Sequence, residues 1–127
     1  MSLEQALVDF GREIGIPTLS PAPHGGVQLR FDSGATLGAA RQGEHVVVHL
    51  AEPVRAHEAA ALLLRAMKRA ANPEQGVPAV QPGLFNASGQ DWLVLALRVA
   101  ERGLDARELR RAADHLRQSL AQLSEAT

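Results

Sequence analysis

The stretch that decides the fold is WLVLALRV, residues 92–99, which is followed by a turn and an amphipathic segment from Asp105 onward. Side chains alternate along an extended strand, so Val94 and Ala96 lie on one face and Leu95 and Leu97 on the other. A strand that is apolar on both faces is expected to be covered on both. The helices of a chain this short can cover one face, and the sequence predicts that a second subunit covers the other.

The segment after this strand carries the signals of a helix start. Asp105 is the predicted N-cap, Glu108 completes a capping box, and Leu104 is placed to pack on Leu109. The helix then presents one apolar stripe at helical spacing, formed by Leu109, Ala113, Leu116, Leu120 and Leu123. Arg and Asp side chains on the opposite side are typical of a solvated face. We expect residues 124–127 to form a flexible tail.

Upstream of the apolar strand, the sequence predicts a helix over residues 54–71 and a short strand at Leu84 and Phe85. A turn over residues 86–89 joins that strand to the next. The helix carries two adjacent apolar stripes: Ala59, Leu62 and Ala66 form one, and Ala60, Leu63 and Met67 form the other. So wide an apolar surface indicates a helix that is covered on more than one side.

The N-terminal half predicts a helix followed by three strands. Ser2 and Gln5 form a capping box, and the helix stripe consists of Leu3, Leu7, Phe10 and Ile14. Residues 18–26 are predicted to be a loop, and residues 27–31, 36–42 and 45–50 to form an antiparallel meander. The whole order is helix, three strands, helix, two strands, helix. It predicts an α+β fold with one twisted antiparallel sheet and three helices, in a single domain spanning residues 1–127.

Composition excludes several classes of partner and chemistry. A formal net charge of −1 gives no electrostatic attraction to nucleic acid or to an anionic membrane surface. The absence of Cys excludes disulfides, thiolate metal sites and a Cys nucleophile. No apolar run approaches the roughly 20 residues of a membrane span, and the N-terminus does not resemble a secretory signal. We therefore expect a small soluble intracellular protein.

The histidines do not form a recognisable metal or catalytic motif. His45 and His49 fall on the same side of one predicted strand but about 13 Å apart, too far to share an ion. His57 and Glu58 lack the second His of a zinc-protease helix, and no phosphate-binding loop is present. The sequence thus predicts no enzyme activity, no metal and no cofactor. A small enzymatic or ligand-binding domain that uses His24, His45 or His49 is the less favoured alternative.

The order of elements resembles the class I chaperones of bacterial type III secretion systems over essentially the whole chain. The best-matching parts are LLLRAM with the helix end at Asn72, the run LFNASGQDWLVL, and LDAREL, which begin at residues 62, 84 and 104. This is a match of pattern, because that family has weak sequence similarity and no catalytic signature. An interaction domain of similar topology, dimeric but unrelated to secretion, is the main alternative.

The resemblance implies a cytoplasmic bacterial homodimer that binds the N-terminal chaperone-binding segment of a secreted effector protein. Such a chaperone keeps the segment ready for export and hydrolyses no nucleotide. It implies dimer contacts by Leu62, Leu63, Met67, Trp92 and Val94. It also implies an effector groove lined by Leu7, Phe10, Leu29, Phe31 and Leu37, residues that could equally belong to the core.

Overall fold

The computed structural model describes residues 3–13, 20–21, 27–71 and 79–125, and it confirms the predicted α+β fold. Three helices and six strands follow in this chain order: α1 (Leu3–Glu13), β1 (Ser20–Pro21), β2 (Val27–Arg30), β3 (Thr36–Gln42), β4 (His45–Val54), α2 (Ala56–Ala71), β5 (Gln81–Ala87), β6 (Gln90–Ala100) and α3 (Ala106–Glu125). All strand pairs are antiparallel, and the strands form one sheet in the order β1-β2-β3-β4-β6-β5. Strand β6, which contains the apolar residues 92–99, therefore lies inside the sheet between β4 and β5.

The structure differs from the prediction mainly at element boundaries. Residues 20–21 form a two-residue strand inside the predicted loop, because they pair with Gln28 and Val27. Strand β5 begins at Gln81 and not at Leu84, since its pairing with β6 continues back to Ala96. Helix α3 continues to Glu125, two residues into the predicted tail. Ser2, Ile14 and Asn72, which belong to a predicted cap, a predicted stripe and a predicted helix end, lie outside the described residues.

The hydrophobic core lies on one face of the sheet. Register aligns Leu29 with Leu37, Leu37 with Leu50, and Leu50 with Leu95, so four neighbouring strands present Leu to the same side. Helices α1 and α3 pack on this core face. The predicted stripe of α3 is confirmed: Leu109, Ala113, Leu116 and Leu123 are buried and Leu120 is half-buried. Burying each such Leu contributes about 1.5–3 kcal/mol to folding.

Helix α3 begins as the sequence predicts. The Asp105 carboxylate oxygen Oδ1 accepts the backbone N–H of Glu108 at 2.9 Å, which satisfies one of the free donors in the first helical turn. Leu104, which precedes the cap, is buried beside Leu109 in the core cluster. The cap and this apolar contact fix where the chain leaves β6 and turns back across the sheet.

Helix α2 lies on the core face next to α3. Ala59 and Ala66 are its buried residues, and Ala66 joins the core cluster. Arg65 donates from Nη1 to the backbone carbonyl of Leu123 at 3.2 Å, and Arg69 donates to the side chain of Gln122. These bonds join the second half of α2 to the end of α3 and fix which side of α2 faces the core.

Glu52 is a half-buried carboxylate on the core face of β4, opposite Leu93. Burial raises the pKa of Glu52, because a carboxylate loses hydration there. The folded chain therefore binds this proton more tightly than the unfolded chain, and stability falls as the pH rises from the ordinary carboxyl pKa through the raised value.

Replacing Glu52 by Gln is expected to raise the thermal unfolding midpoint at neutral pH and to flatten its decline between about pH 4 and neutrality. Thermal melts followed by circular dichroism across this range measure both effects. Glu44→Gln is the matched control, since Glu44 is exposed in the turn between β3 and β4. Equal midpoints for the Glu52 variant and the wild type at neutral pH would contradict the expectation.

Candidate functional site

The two apolar stripes of α2 have different surroundings. In the first stripe, Ala59 and Ala66 are buried and Leu62 is half-buried against the core. In the second, Met67 is 53% exposed, Ala60 is exposed and Leu63 is half-buried. The folded chain covers only the first stripe. The second forms an apolar surface along the side of α2 that faces away from the core.

The exposed large apolar side chains of the described residues are confined to α2 and β5. They are Leu64, Met67, Leu84 and Phe85. They do not form one patch, because successive residues of β5 face opposite sides of the sheet: Leu84 shares the core face with Leu93, and Phe85 shares the second face with Trp92. Leu64, Leu84 and Phe85 were not predicted from the sequence to belong to a site. The turn at residues 88–89 could have identified Phe85, because a two-residue turn there places Phe85 directly opposite Trp92.

An open groove of about 550 Å³ lies between α2 and β5. Its lining is Leu63, Met67, Ala70, Ala71, Gln81, Pro82 and Gly83. None of the described residues that line it is charged, and their side chains suit apolar groups better than a charged ligand. The groove shares Leu63 and Met67 with the exposed stripe of α2.

Phe85 and Trp92 form a stacked pair on the face of the sheet opposite the core. Their ring centroids are 6.1 Å apart and the rings are nearly parallel, with an interplanar angle of 7°. Phe85 is 47% exposed, and Trp92 is half-buried. Val94 and Ala96 continue the same side of β6 and are also half-buried. An apolar strip thus follows this second face from β5 onto β6.

The predicted dimer contacts fall on two sides of the sheet. Leu62, Leu63 and Met67 are on α2, which packs on the core face. Trp92 and Val94 point to the second face, as the alternation along β6 requires. Strand β5, at the end of the sheet, lies between the two groups. A single interface that includes both must therefore pass around the edge of β5.

The residues predicted to line an effector groove are placed mostly in the core. Leu7, Phe10, Leu29 and Leu37 are each at most 3% exposed. They occupy the core face of β2 and β3 and the inner side of α1, so a bound peptide could not touch them unless the core opened. The core alternative accounts for these four positions. Phe31 is half-buried beside the turn between β2 and β3, and only this member of the set has an accessible side chain.

The histidines of the alternative interpretation are not brought together. His45 is exposed at the start of β4. His49 is half-buried and its ring lies on Gly38 of β3, where an added Cβ would come within 2.6 Å of Nε2. His24 lies outside the described residues. The described residues contain no group of three or more His, Asp or Glu that could hold a metal ion.

None of the helices in the described ranges combines the length and apolar character that a membrane crossing needs.

Solved structures of other proteins share the fold, among them the following three. SycH, a type III secretion chaperone of Yersinia pestis solved in complex with a stable fragment of YscM2, matches with a TM-score of 0.61 and 13% identity over 93% of this chain and 96% of that one. The chaperone–effector complex of HopA1 and SchA matches at 0.58 and 21% identity, over 97% and 93%. YbjN from E. coli, a putative transcription regulator, matches at 0.65 and 11% identity, over 94% and 89%.

A search of curated proteins found no match to the sequence. The model of one protein family, the type III secretory system chaperone SycN, matches residues 2–123. The match begins one residue before α1 and ends at Leu123, two residues before the end of α3. The chain therefore belongs to the type III secretory system chaperone SycN family.

Proposed function

We propose that this chain is a homodimeric, ATP-independent chaperone of a type III secreted effector. It binds the effector's N-terminal chaperone-binding segment in extended form and keeps that segment competent for export. It acts in the bacterial cytoplasm, catalyses no reaction and requires no cofactor. The observation that carries the proposal is the family match over residues 2–123.

The solved relatives support the class of partner. One matching structure is a chaperone–effector complex, and another contains a secretion chaperone with a fragment of a second protein. At 13% and 21% identity these structures share the fold with our chain, and the partner is transferred to it as part of the proposal. Extended segments commonly bind folded domains through apolar anchors and added strands, and neither mode needs a charged or catalytic site.

The homodimer is proposed to use Leu62, Leu63, Met67, Trp92 and Val94. Four of the five are half-buried and Met67 is exposed, so each keeps apolar area that a partner subunit could cover. The groove between α2 and β5, whose described lining residues are uncharged, supports the same surface. An isologous interface would bring each patch against its own copy, which suits a surface without like charges.

The effector segment is proposed to contact Phe31 on each subunit. Phe31 packs partly on the core, and its backbone is held by bonds with Ala35 at 2.9 Å and Gly34 at 3.0 Å. Its backbone is therefore fixed in place, and its ring is partly accessible. Binding through such apolar anchors should weaken only modestly with added salt.

Co-purification from the native host tests the proposed function. The tagged chain should retain a secreted protein, and limited proteolysis of the complex should leave a protected N-terminal segment. Length variants of that protein then locate the segment, with a variant that lacks its N-terminal region as the negative control. Recovery of no secreted protein under conditions that induce the secretion system would overturn the chaperone proposal.

Replacing Phe31 by Ser is expected to weaken binding of the effector segment about tenfold or more, because an apolar anchor is lost. The dimer equilibrium should change much less, since Phe31 is at the opposite end of the sheet from β5. Calorimetry with the purified segment and sedimentation of the free chain measure the two effects. Phe31→Leu is the matched control. Wild-type binding by the Ser variant would show that the effector contact lies elsewhere.

The second candidate is a dimeric interaction domain unrelated to secretion. The likeness to YbjN supports this candidate, because YbjN has the same fold and is described as a putative transcription regulator. Fold alone does not establish function. The co-purification experiment separates the two candidates, since only the chaperone proposal requires a secreted partner.

A further inference from the structure

We propose that the second face of the sheet binds an amphipathic α-helix of a further protein, a helix whose apolar stripe is flanked on both sides by Asp or Glu. The helix would lie over β3 and β4, between Arg30 and Arg98. It is distinct from the effector segment, which is proposed to bind in extended form at Phe31, a residue packed against the core. A chaperone that holds its effector would therefore keep the second face available.

The second face differs from the solvated face of an ordinary antiparallel sheet. Such a face is expected to carry polar residues, because only the opposite face packs on the core. Here the pairing register gives β3 and β4 small or apolar residues together with one His: Thr36, Gly38, Ala40, Ala51, His49 and Val47. The helices of the described ranges pack on the core face, so none of them covers these residues.

Strand β3 is low on this face because its side chains there are short. His49 of β4 lies over Gly38, where an added Cβ would come within 2.6 Å of Nε2. The ring therefore lies across β3 and does not stand up from the sheet. Ala40 and Val47, which follow along the same two strands, are half-buried and keep accessible apolar area. Glycine in a strand interior often marks a close approach by another backbone, and this floor suits a helix.

The carboxylates of the described strands lie on the other side of the sheet. The chain has 14 Asp and Glu residues, but the described strands contain only Glu52 and Asp91. Both share the core face with Leu93, because the register pairs Glu52 with Leu93 and Asp91 is two residues before it. Among the described strand residues, the second face therefore has no carboxylate.

Two arginines give this face a single sign of charge. Arg30 is paired with Thr36, and Arg98 with Val47, so both belong to the second face. Both are exposed. In the part of the chain that the structure describes, neither side chain takes part in an ion pair or a hydrogen bond. Two unpaired cations beside an apolar floor are complementary to an apolar stripe with carboxylates at its sides.

The two arginines flank a path of the width of a helix. Strands are about 4.8 Å apart, so Arg30 on β2 and Arg98 on β6 are separated by three spacings, or about 14 Å, across the sheet. An α-helix with its side chains is about 10–12 Å wide and fits between them. Along the strands the two positions are offset by four residues, or about 13 Å, since Arg30 aligns with Val94. The carboxylates on the two flanks of the helix are therefore expected about nine residues apart.

Other occupants fit this face less well. Nucleic acid binding depends on many phosphate contacts, and the chain has two arginines here and a net charge of −1. A second copy would bring Arg30 and Arg98 against the same two cations, which is unfavourable. The proposed homodimer uses α2 and the part of β6 at Trp92 and Val94, so it leaves β3 and the first half of β4 uncovered.

Two synthetic peptides of about 18 residues, long enough to follow β3 as a helix, test the site. Both carry the same Leu stripe, and one has Glu on both flanks of the stripe where the other has Lys. Fluorescence anisotropy of the labelled peptides measures binding to the full chain. The Glu peptide should bind with a dissociation constant of about 100 µM or lower, and the Lys peptide about tenfold more weakly or worse. Equal binding of the two peptides, or no binding of the Glu peptide, would overturn the proposal.

Substitutions on the chain locate the bound peptide. Arg30→Gln and Arg98→Gln should each weaken binding of the Glu peptide about threefold, since each removes one exposed charge pair. Arg102→Gln is the matched control, because Arg102 is exposed in the turn after β6 and removes the same charge outside the sheet face. Ala40→Gln raises the floor with a longer uncharged side chain and should weaken binding about tenfold. Circular dichroism confirms that each variant is folded.

The outcomes distinguish this site from the proposed function. Reduced binding by both Arg variants and by Ala40→Gln, with wild-type binding by Arg102→Gln, supports the helix site. Wild-type binding by Arg30→Gln and Arg98→Gln places the peptide elsewhere and overturns it. Displacement of the peptide by the co-purified effector segment, or loss of the dimer in Ala40→Gln, assigns the face to the effector or to a second copy and also overturns it. The effector chaperone proposal survives each of these results, because co-purification tests it without the peptide.

Discussion

Replacing Leu63 and Met67 together by Glu is expected to leave the chain folded and to weaken its self-association about 100-fold or more. Met67 is 53% exposed and Leu63 is half-buried, so the monomer can keep both carboxylates in water. In the proposed dimer the same carboxylates would be buried beside those of the partner, and unpaired buried charges cost several kcal/mol each. Sedimentation at micromolar concentrations, together with circular dichroism, measures both effects.

Ala61→Glu is the control for this double substitution. Ala61 is exposed on α2 but belongs to neither apolar stripe, and an acidic residue there is four positions before Arg65, a favourable spacing on a helix. It should dimerise like the wild type. The interface on α2 would be misplaced if the Ala61 variant lost the dimer, or if the double variant kept it.

Replacing Ala66 by Glu is expected to unfold the chain or to reduce it to a partly folded state. Ala66 is adjacent to Met67 in sequence but is only 5% exposed and belongs to the core cluster with Leu93 and Leu123. A carboxylate at this position would be buried among apolar side chains, at a cost of several kcal/mol. A small domain has only about 5–15 kcal/mol of stability, so the loss would be a large part of the total.

Urea unfolding followed by circular dichroism measures this effect. Ala66→Glu should lose the cooperative transition or shift it to a much lower urea concentration, whereas Met67→Glu should unfold close to the wild type when both are studied as monomers. This pair of neighbouring positions tests which side of α2 faces the core. Equal midpoints for the two variants would contradict the assignment.

The periodicity of apolar residues was sufficient to predict most elements of the fold. The alternation in residues 92–99 predicted β6, and the capping box at Asp105 predicted the start of α3, which the bond from Glu108 confirms. The three-strand meander and the antiparallel sheet are likewise confirmed. These features depend on local periods and turn chemistry, and a single sequence contains that information.

The candidate site was predicted less completely. A stripe of apolar residues shows that a surface will be covered, but it does not say by what. The family resemblance implied an effector groove lined by Leu7, Phe10, Leu29 and Leu37, and the structure buries all four in the core. Phe85 was also overlooked from the sequence, because its importance depends on its position opposite Trp92 at the sheet edge.

The sequence by itself determined which segments are helices and strands, the turn between β5 and β6, and the apolar character of both faces of β6. Only the tertiary structure decided which stripe of α2 joins the core, since both are apolar and the choice depends on the packing of α2 beside α3. It also decided that β5 ends the sheet. Strand order depends on contacts between residues far apart in the chain, and no local period encodes those contacts.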